Sequence, residues 1–411
     1  MFAKLSYSLL INILSVLTPI ITLPIVLRSL GPESYGHYAH SIVFSNWSIA
    51  VFVASLSAFC TREYIRKVSG ATDAASAPLP FSQLVGLQLV MSLIGTAIHC
   101  VVLFVVIQGE VPPVYWVAVL ATGLSFLNVD WYFFAIGATK ILFWRTLFIR
   151  IFSVAAIVVL VDDQNDVILY ALIVVGSTVM ANLTGFLFAC RSEGFSLDVR
   201  GLRHLKRAKH FLSSAGIGSV YQFADQFLLG LLPDKSGVAY LSLCKQILNA
   251  LNIFSISICR VLMPISTAKL AGAGYLRFVK KSLMRYLTAL LIVAVVFSLV
   301  GQDALGWVAG SQYHFARAVF VVCAACFVVT GLNVFIDTQI SIPMRLERFT
   351  MIANLFVGAT NAAGLVLLVP SMGYVGALCA LLLGEVVGLA VALTCHAKKG
   401  TLHEIPLHHS V

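Results

Sequence analysis

Charged side chains are scarce in this sequence. Asp, Glu, Lys and Arg make up 11% of its 411 residues and hydrophobic residues 60%, whereas a soluble globular chain carries roughly 25% charged residues to wet its surface. Water is therefore not the main solvent of this chain. A GxxxxGK[ST] phosphate loop is absent, so the chain carries no nucleotide-driven motor of its own. No serine or cysteine nucleophile stands beside a base, the H-x-x-x-x-D of membrane acyltransferases does not occur, and no catalysis is expected. The nine cysteines are scattered, mostly in apolar runs, and imply no disulfide framework. Cys323 and Cys326 form a C-x-x-C within VVCAACFVV, but with no His or carboxylate nearby they read as helix-packing residues. His37 and His40 lack a carboxylate to complete a metal site. The expectation is no metal and no cofactor, with a proton or sodium ion as the coupling partner.

What fills the chain instead is a series of apolar runs of about twenty residues, the length a helix needs to cross the hydrocarbon. They fall near 6–27, 39–60, 83–107, 114–137, 143–161, 168–190, 211–232, 238–262, 284–301, 316–340, 350–369 and 373–396. The first reads as a span rather than a secretory leader, because it exceeds a leader's apolar core and has no small-x-small cleavage site. This predicts an all-α polytopic membrane protein of about twelve transmembrane helices. Lys4, Arg62, Arg66, Lys67, the basic run from Arg191 to Lys209, Arg277, Lys280, Lys281, Lys398 and Lys399 then fall on one side, with only Arg28, Lys235 and Arg317 on the other. Because short translocated loops avoid Lys and Arg, both termini are expected in the cytoplasm. The net charge of +10 is thus a topology signal, and nucleic acid is not an expected partner.

An internal repeat is visible at an offset near two hundred residues. Leu127-Asn128-Val129 recurs as Leu332-Asn333-Val334, and Ser34 to Tyr38 after span one faces Lys235 to Tyr240 after span seven. The expected organisation is one lobe over 1–200, a second over 201–400 and a tail at 401–411. An even number of spans per lobe makes the two lobes parallel, related by a pseudo-twofold along the membrane normal, as in many secondary transporters.

Ionisable residues inside spans face protein or water, since lipid penalises them. With hairpin turns near Asp234-Lys235 and near Lys140, counting back about ten residues, or about 15 Å, pairs Asp225 with Lys245 and Asp130 with Arg150. Each pair can tie two helices together or handle a substrate or proton. Arg28 and Arg62 end spans one and two, Arg260 lies late in span eight, and Asp337 and Glu385 lie in spans ten and twelve. Gln222, Gln226, Gln246, Asn249 and Asn252 stand at helical spacing and mark a wet or hydrogen-bonded face.

The opening stretch from Thr18-Pro19 through Arg28-Ser29-Leu30-Gly31-Pro32-Glu33-Ser34-Tyr35-Gly36 resembles the start of polysaccharide repeat-unit flippases, the Wzx type of O-antigen exporters. Thr61-Arg62-Glu63, Asp130-Trp131-Tyr132-Phe133, Asp225 to Gly230 and Leu262-Met263-Pro264 are similar to later stations of that family, in order. The resemblance covers essentially the whole chain. It implies the fold of the multidrug/oligosaccharidyl-lipid/polysaccharide exporters, with two six-helix bundles in a V around a central cavity. It also implies a flippase that moves an isoprenoid-diphosphate-linked oligosaccharide, such as an undecaprenyl diphosphate intermediate, from the cytoplasmic to the periplasmic leaflet of the bacterial inner membrane. Spans one, two, seven and eight would then wall the cavity. Arg28, Arg62, Lys245, Arg260 and Arg150 lie on or near those walls, and guanidinium groups bind phosphate bidentately. Expected partners are the lipid-linked oligosaccharide, bilayer lipids, and polymerase and chain-length proteins of the same pathway. An ion-coupled exporter of small cations on the same fold would want an anionic cavity. A polymerase or ligase of the pathway would want a sizeable external loop, and none is present.

Overall fold

The computed structural model describes residues 2–68, 79–107, 109–194, 198–205, 207–208, 212, 222–232, 234–269, 274–310, 312–344 and 346–399. The expected tail at 401–411 and most of the seventh expected span (211 and 213–221) lie outside them. Helix α1 (Phe2–Ile49) runs through a π-turn (Ala50–Ala54) into α2 (Ser55–Val68). Then come α3 (Phe81–Val106), α4 (Pro113–Gly123), a 3-10 turn (Leu124–Leu127), α5 (Asp130–Ile136), α6 (Thr139–Leu160) and α7 (Val167–Glu193). Residues 222–229 form α8, followed by α9 (Ser236–Lys269), α10 (Tyr275–Ala309), α11 (Arg317–Ile336) with a π-turn (Asp337–Ser341), and α12 (Glu347–Lys398).

Among the described residues, nine helical stretches are long and apolar enough to cross a membrane, and two of them are too long for one crossing. At 1.5 Å per residue, α12 would measure about 78 Å, more than twice the hydrocarbon thickness. It instead folds back at Gly373, whose φ of 55° suits glycine. A Cβ on Gly364 would press on Ala380, one on Gly384 on Val357 and Asn361, and one on Gly388 on Val357. The two arms therefore form an antiparallel hairpin seated on small residues. The chain α1–α2 breaks the same way at Gly31 (φ 69°), just before Pro32, which cannot donate a helical hydrogen bond. Ile11 then packs against the cluster containing Leu56 and Phe59, on the far side of the break. With both hairpins opened out, the described residues carry eleven crossings, and most of the seventh expected span lies outside them.

The chain divides into two compact units, 1–236 and 237–411. That boundary falls after α8, later than the one near 200 suggested by the repeat, because α8 is seated on α1. Phe44 meets Phe227 at 5.2 Å between ring centroids. His40 lies on Gly230 and Gly36 on the Lys235 carbonyl, so closely that a Cβ on either glycine would overlap its neighbour. These three contacts, four residues apart along α1, need both glycines.

The first unit is built around wholly buried Trp131, with Phe81 and Tyr64 at 5.7 and 5.8 Å from its ring, and with Phe59 and Phe133 in the same cluster. In the second unit polar residues within the helices are tied to neighbours. Gln339 Nε2 donates to the Cys259 carbonyl (2.8 Å) and Tyr286 Oη to the Gly331 carbonyl (3.0 Å). Asn333 Nδ2 donates to Glu385 Oε2 (2.7 Å) and Thr350 Oγ1 to Asp337 Oδ1 (2.6 Å), so both intramembrane carboxylates have neutral donors. Cys323 and Cys326 are buried in α11, with Cys326 near the Leu378 carbonyl.

Candidate functional site

Three departures from regular helix in the first unit enclose one cavity of about 500 Å³. The first is the π-turn after α1, where the Ser55 N–H bonds back to the Ala50 carbonyl, five residues earlier. The extra residue re-aims the chain so that Val53, Ala54 and Ser57 join Tyr38, Ser45 and Asn46 on the cavity wall. From Tyr38 to Ser57 this wall runs about 28 Å along the helix, close to the hydrocarbon thickness.

The second departure is the break between α4 and α5. Asn128 is extended (ψ 97°), and unpaired backbone at membrane depth survives only where protein or a wet cavity receives it. Helix α3 supplies the partners. Ser92 Oγ donates to the Thr122 and Gly123 carbonyls (both 2.9 Å), and Gln88 Nε2 donates to the Asn128 carbonyl (3.3 Å). Gln88 Oε1 accepts from Trp131 Nε1 (2.8 Å), which ties the break to the core below it. Asn128 Oδ1 accepts from the Asp130 N–H at 3.2 Å. Asn128 and Asp130 are thereby held at the cavity wall, with Asn182 and Thr178 of α7 on the same cavity.

The third is the α5–α6 turn, which corrects one expected pair. Asp130 is bonded to Arg145 (Nη2–Oδ1 2.9 Å), not to Arg150. The turn is made by left-handed Gly137 (φ 70°) and Ala138 rather than at Lys140, so the residue level with Asp130 falls five positions earlier. Arg145 is mostly buried, its Nη1 pressed against Gly185 of α7 where a Cβ would collide with it. Arg150 is half-buried on α6.

The other expected residues are placed as follows. Arg28 is exposed, three residues before the Gly31 break in α1. Arg62, half-exposed, pairs with wholly buried Glu63 (3.1 Å), which also receives Arg66 (3.4 Å), and it lies over the Phe59 ring. Asp225 is buried on α8 in the first unit, its Oδ1 accepting from the Gln226 N–H at 2.7 Å. Lys245, half-buried, and Arg260, exposed, are on α9 in the second unit. Behind the cavity, His40 Nδ1 bonds to Tyr115 Oη (2.7 Å) and His99 Nδ1 to Thr122 Oγ1 (2.9 Å), on either side of Phe44. Sequence reasoning missed Asn46, Asn182 and Arg145. The two asparagines were visible as amides inside apolar runs, and Gly137 was the signal for Arg145.

Residues 1–268 match the family model described as polysaccharide biosynthesis protein. No curated protein sequence matches the chain. A solved inward-facing multidrug resistance MATE family transporter of the MOP superfamily is similar in fold, with a TM-score of 0.61 and 12% identity over 94% of each chain. The lipid II flippase MurJ in an inward closed conformation is similar at a TM-score of 0.60 and 11% identity, over 95% of this chain and 87% of that one.

Proposed function

Because the chain belongs to the polysaccharide biosynthesis protein family and has the helical membrane fold of MATE transporters and MurJ, we propose that it is a flippase for lipid-linked oligosaccharide. It moves an isoprenoid-diphosphate-linked repeat unit from the cytoplasmic to the periplasmic leaflet of a bacterial inner membrane, for O-antigen or another surface polysaccharide. The observation that carries this reading is a cavity inside the first unit in which Ser45, Asn46, Asn128, Asp130 and Asn182 break an otherwise apolar lining. A wet path of that kind lets a glycan cross while its lipid tail stays in the bilayer. The proposed cycle is alternating access driven by a proton or sodium gradient, with both termini in the cytoplasm.

Arg28, Arg62, Arg150, Lys245 and Arg260 are proposed to receive the diphosphate, and Asp225 is proposed to pair with Lys245. An exporter of small cations is the weaker reading. Such a cargo wants a free carboxylate in its cavity, and Asp130 is already matched by Arg145. The test is leaflet-resolved labelling of the lipid-linked glycan in a strain lacking this protein. Glycan accumulating in the cytoplasmic leaflet, and cleared when the gene is restored, is the expected result. An unchanged leaflet distribution together with intact surface polysaccharide would contradict it.

A further inference from the structure

We infer that the cavity of the first unit is a binding groove for the sugar chain itself, recognising neutral polyhydroxylated rings through amide side chains. This rests on the flippase reading and names the part of the cargo held there.

Asn46, Asn128 and Asn182 come from α1, the α4–α5 break and α7, three separate segments that converge on one cavity. A primary amide offers two donors and an acceptor, which suits a hydroxyl that donates and accepts at once. Asn46 and Asn182 make no side-chain hydrogen bond among the described residues, and Asn128 uses only its oxygen, on the Asp130 N–H. Their remaining valences are therefore open to a ligand. The rings of Tyr38 and Phe134 on the same wall give apolar faces to the C–H sides of a pyranose.

Charge excludes the alternatives. A bare cation would need several anionic or carbonyl oxygens, but the one carboxylate on the wall is matched by a guanidinium at 2.9 Å. A diphosphate would need cations on the wall, and no Lys or Arg is among the residues that line it. What is left is an apolar lining interrupted by neutral amides and hydroxyls, with the paired Asp130 as its one carboxylate. The cavity's volume of about 500 Å³ is within the range of pockets that hold small molecules. Its length of about 28 Å along α1 suits an extended oligosaccharide better than one compact ring.

The experiment is transport of the native lipid-linked oligosaccharide by the full-length protein in proteoliposomes. Asn46→Leu with Asn182→Leu should raise the half-saturating glycan concentration roughly tenfold or more, the effect of two lost hydrogen bonds of ordinary strength. Its sodium and proton dependence should not change. On the unmodified protein, the free oligosaccharide released from its carrier by mild acid should compete with transport, whereas sodium chloride at equal concentration should not. An unchanged half-saturation in a well-folded double variant would overturn the inference, as would a defect confined to ion dependence or a lack of competition by the free oligosaccharide. If the unmodified protein moves no glycan at all, the flippase reading has failed, which is a separate result.

Discussion

The Asp130–Arg145 pair shows how much one residue's environment decides. Asp130 keeps about a third of its side chain open to the cavity, while Arg145 is mostly buried. Removing the carboxylate leaves a guanidinium in a low-dielectric site with its Nε and Nη1 already lacking partners. Asp130→Ala is therefore expected to cost about 1–3 kcal/mol, below the figure for a fully buried pair because one partner is partly wetted. The double variant Asp130→Ala, Arg145→Ala should recover part of that loss, and Arg150→Ala should leave stability nearly unchanged. Thermal unfolding of the purified variants in detergent reads this out directly. Additive losses for Asp130 and Arg145 would mean the pair contributes nothing beyond its parts.

At the scale of elements, stability rests on helices approaching closely where side chains are small. Gly36→Ala and Gly230→Ala each put a Cβ into an occupied position, against the Lys235 carbonyl and the His40 ring, whereas nothing lies within 4 Å of a Cβ on Gly176. Both of the first two should lower the melting temperature, and Gly176→Ala should not. The connection after α7 is held by the same device, since Gly86 of α3 meets the Asp198 carbonyl and Gly201 meets the Gln83 carbonyl. Asp198 also accepts from the Arg200 N–H (2.9 Å) and from Gln83 Nε2 (3.0 Å). Chiefly the backbone bond from Arg200, and then Gln83, hold its carboxyl below the usual range. A depressed carboxyl stabilises the fold above its unfolded value and loses that contribution as pH falls through the folded one. Cleavage at Arg200 and Arg203 by an acid-tolerant protease should therefore rise below about pH 4, and Asp198→Asn should abolish the pH dependence. Much of this element plan was legible beforehand: the apolar runs gave the spans, and the gap between 27 and 39 gave the first reversal. The π-turn at 50–54 was not legible, because AVFVA carries no breaker and its register is set by tertiary packing. The Asp130 partner was missed because Lys140 was taken as the centre of a turn that Gly137 makes.

At the scale of the whole molecule, the proposed flippase combines a groove for sugar with cations for the diphosphate. Arg62 is half-exposed and shares Glu63 with Arg66, and Arg260 is exposed on α9. Arg62→Ala with Arg260→Ala should abolish surface glycan at normal protein abundance, whereas the double Lys variant should keep some activity, with charge retained and bidentate geometry lost. Glycan display falling only in step with abundance would point to a structural role instead. The most direct test of the central claim is a flipping assay. Purified protein is reconstituted with fluorescent isoprenoid-diphosphate oligosaccharide in both leaflets, and a membrane-impermeant glycosidase is added outside. Complete digestion with the protein, and about half without it, is the predicted result. Protection of the inner-leaflet half, unchanged by the protein under a proton or a sodium gradient, would contradict the account.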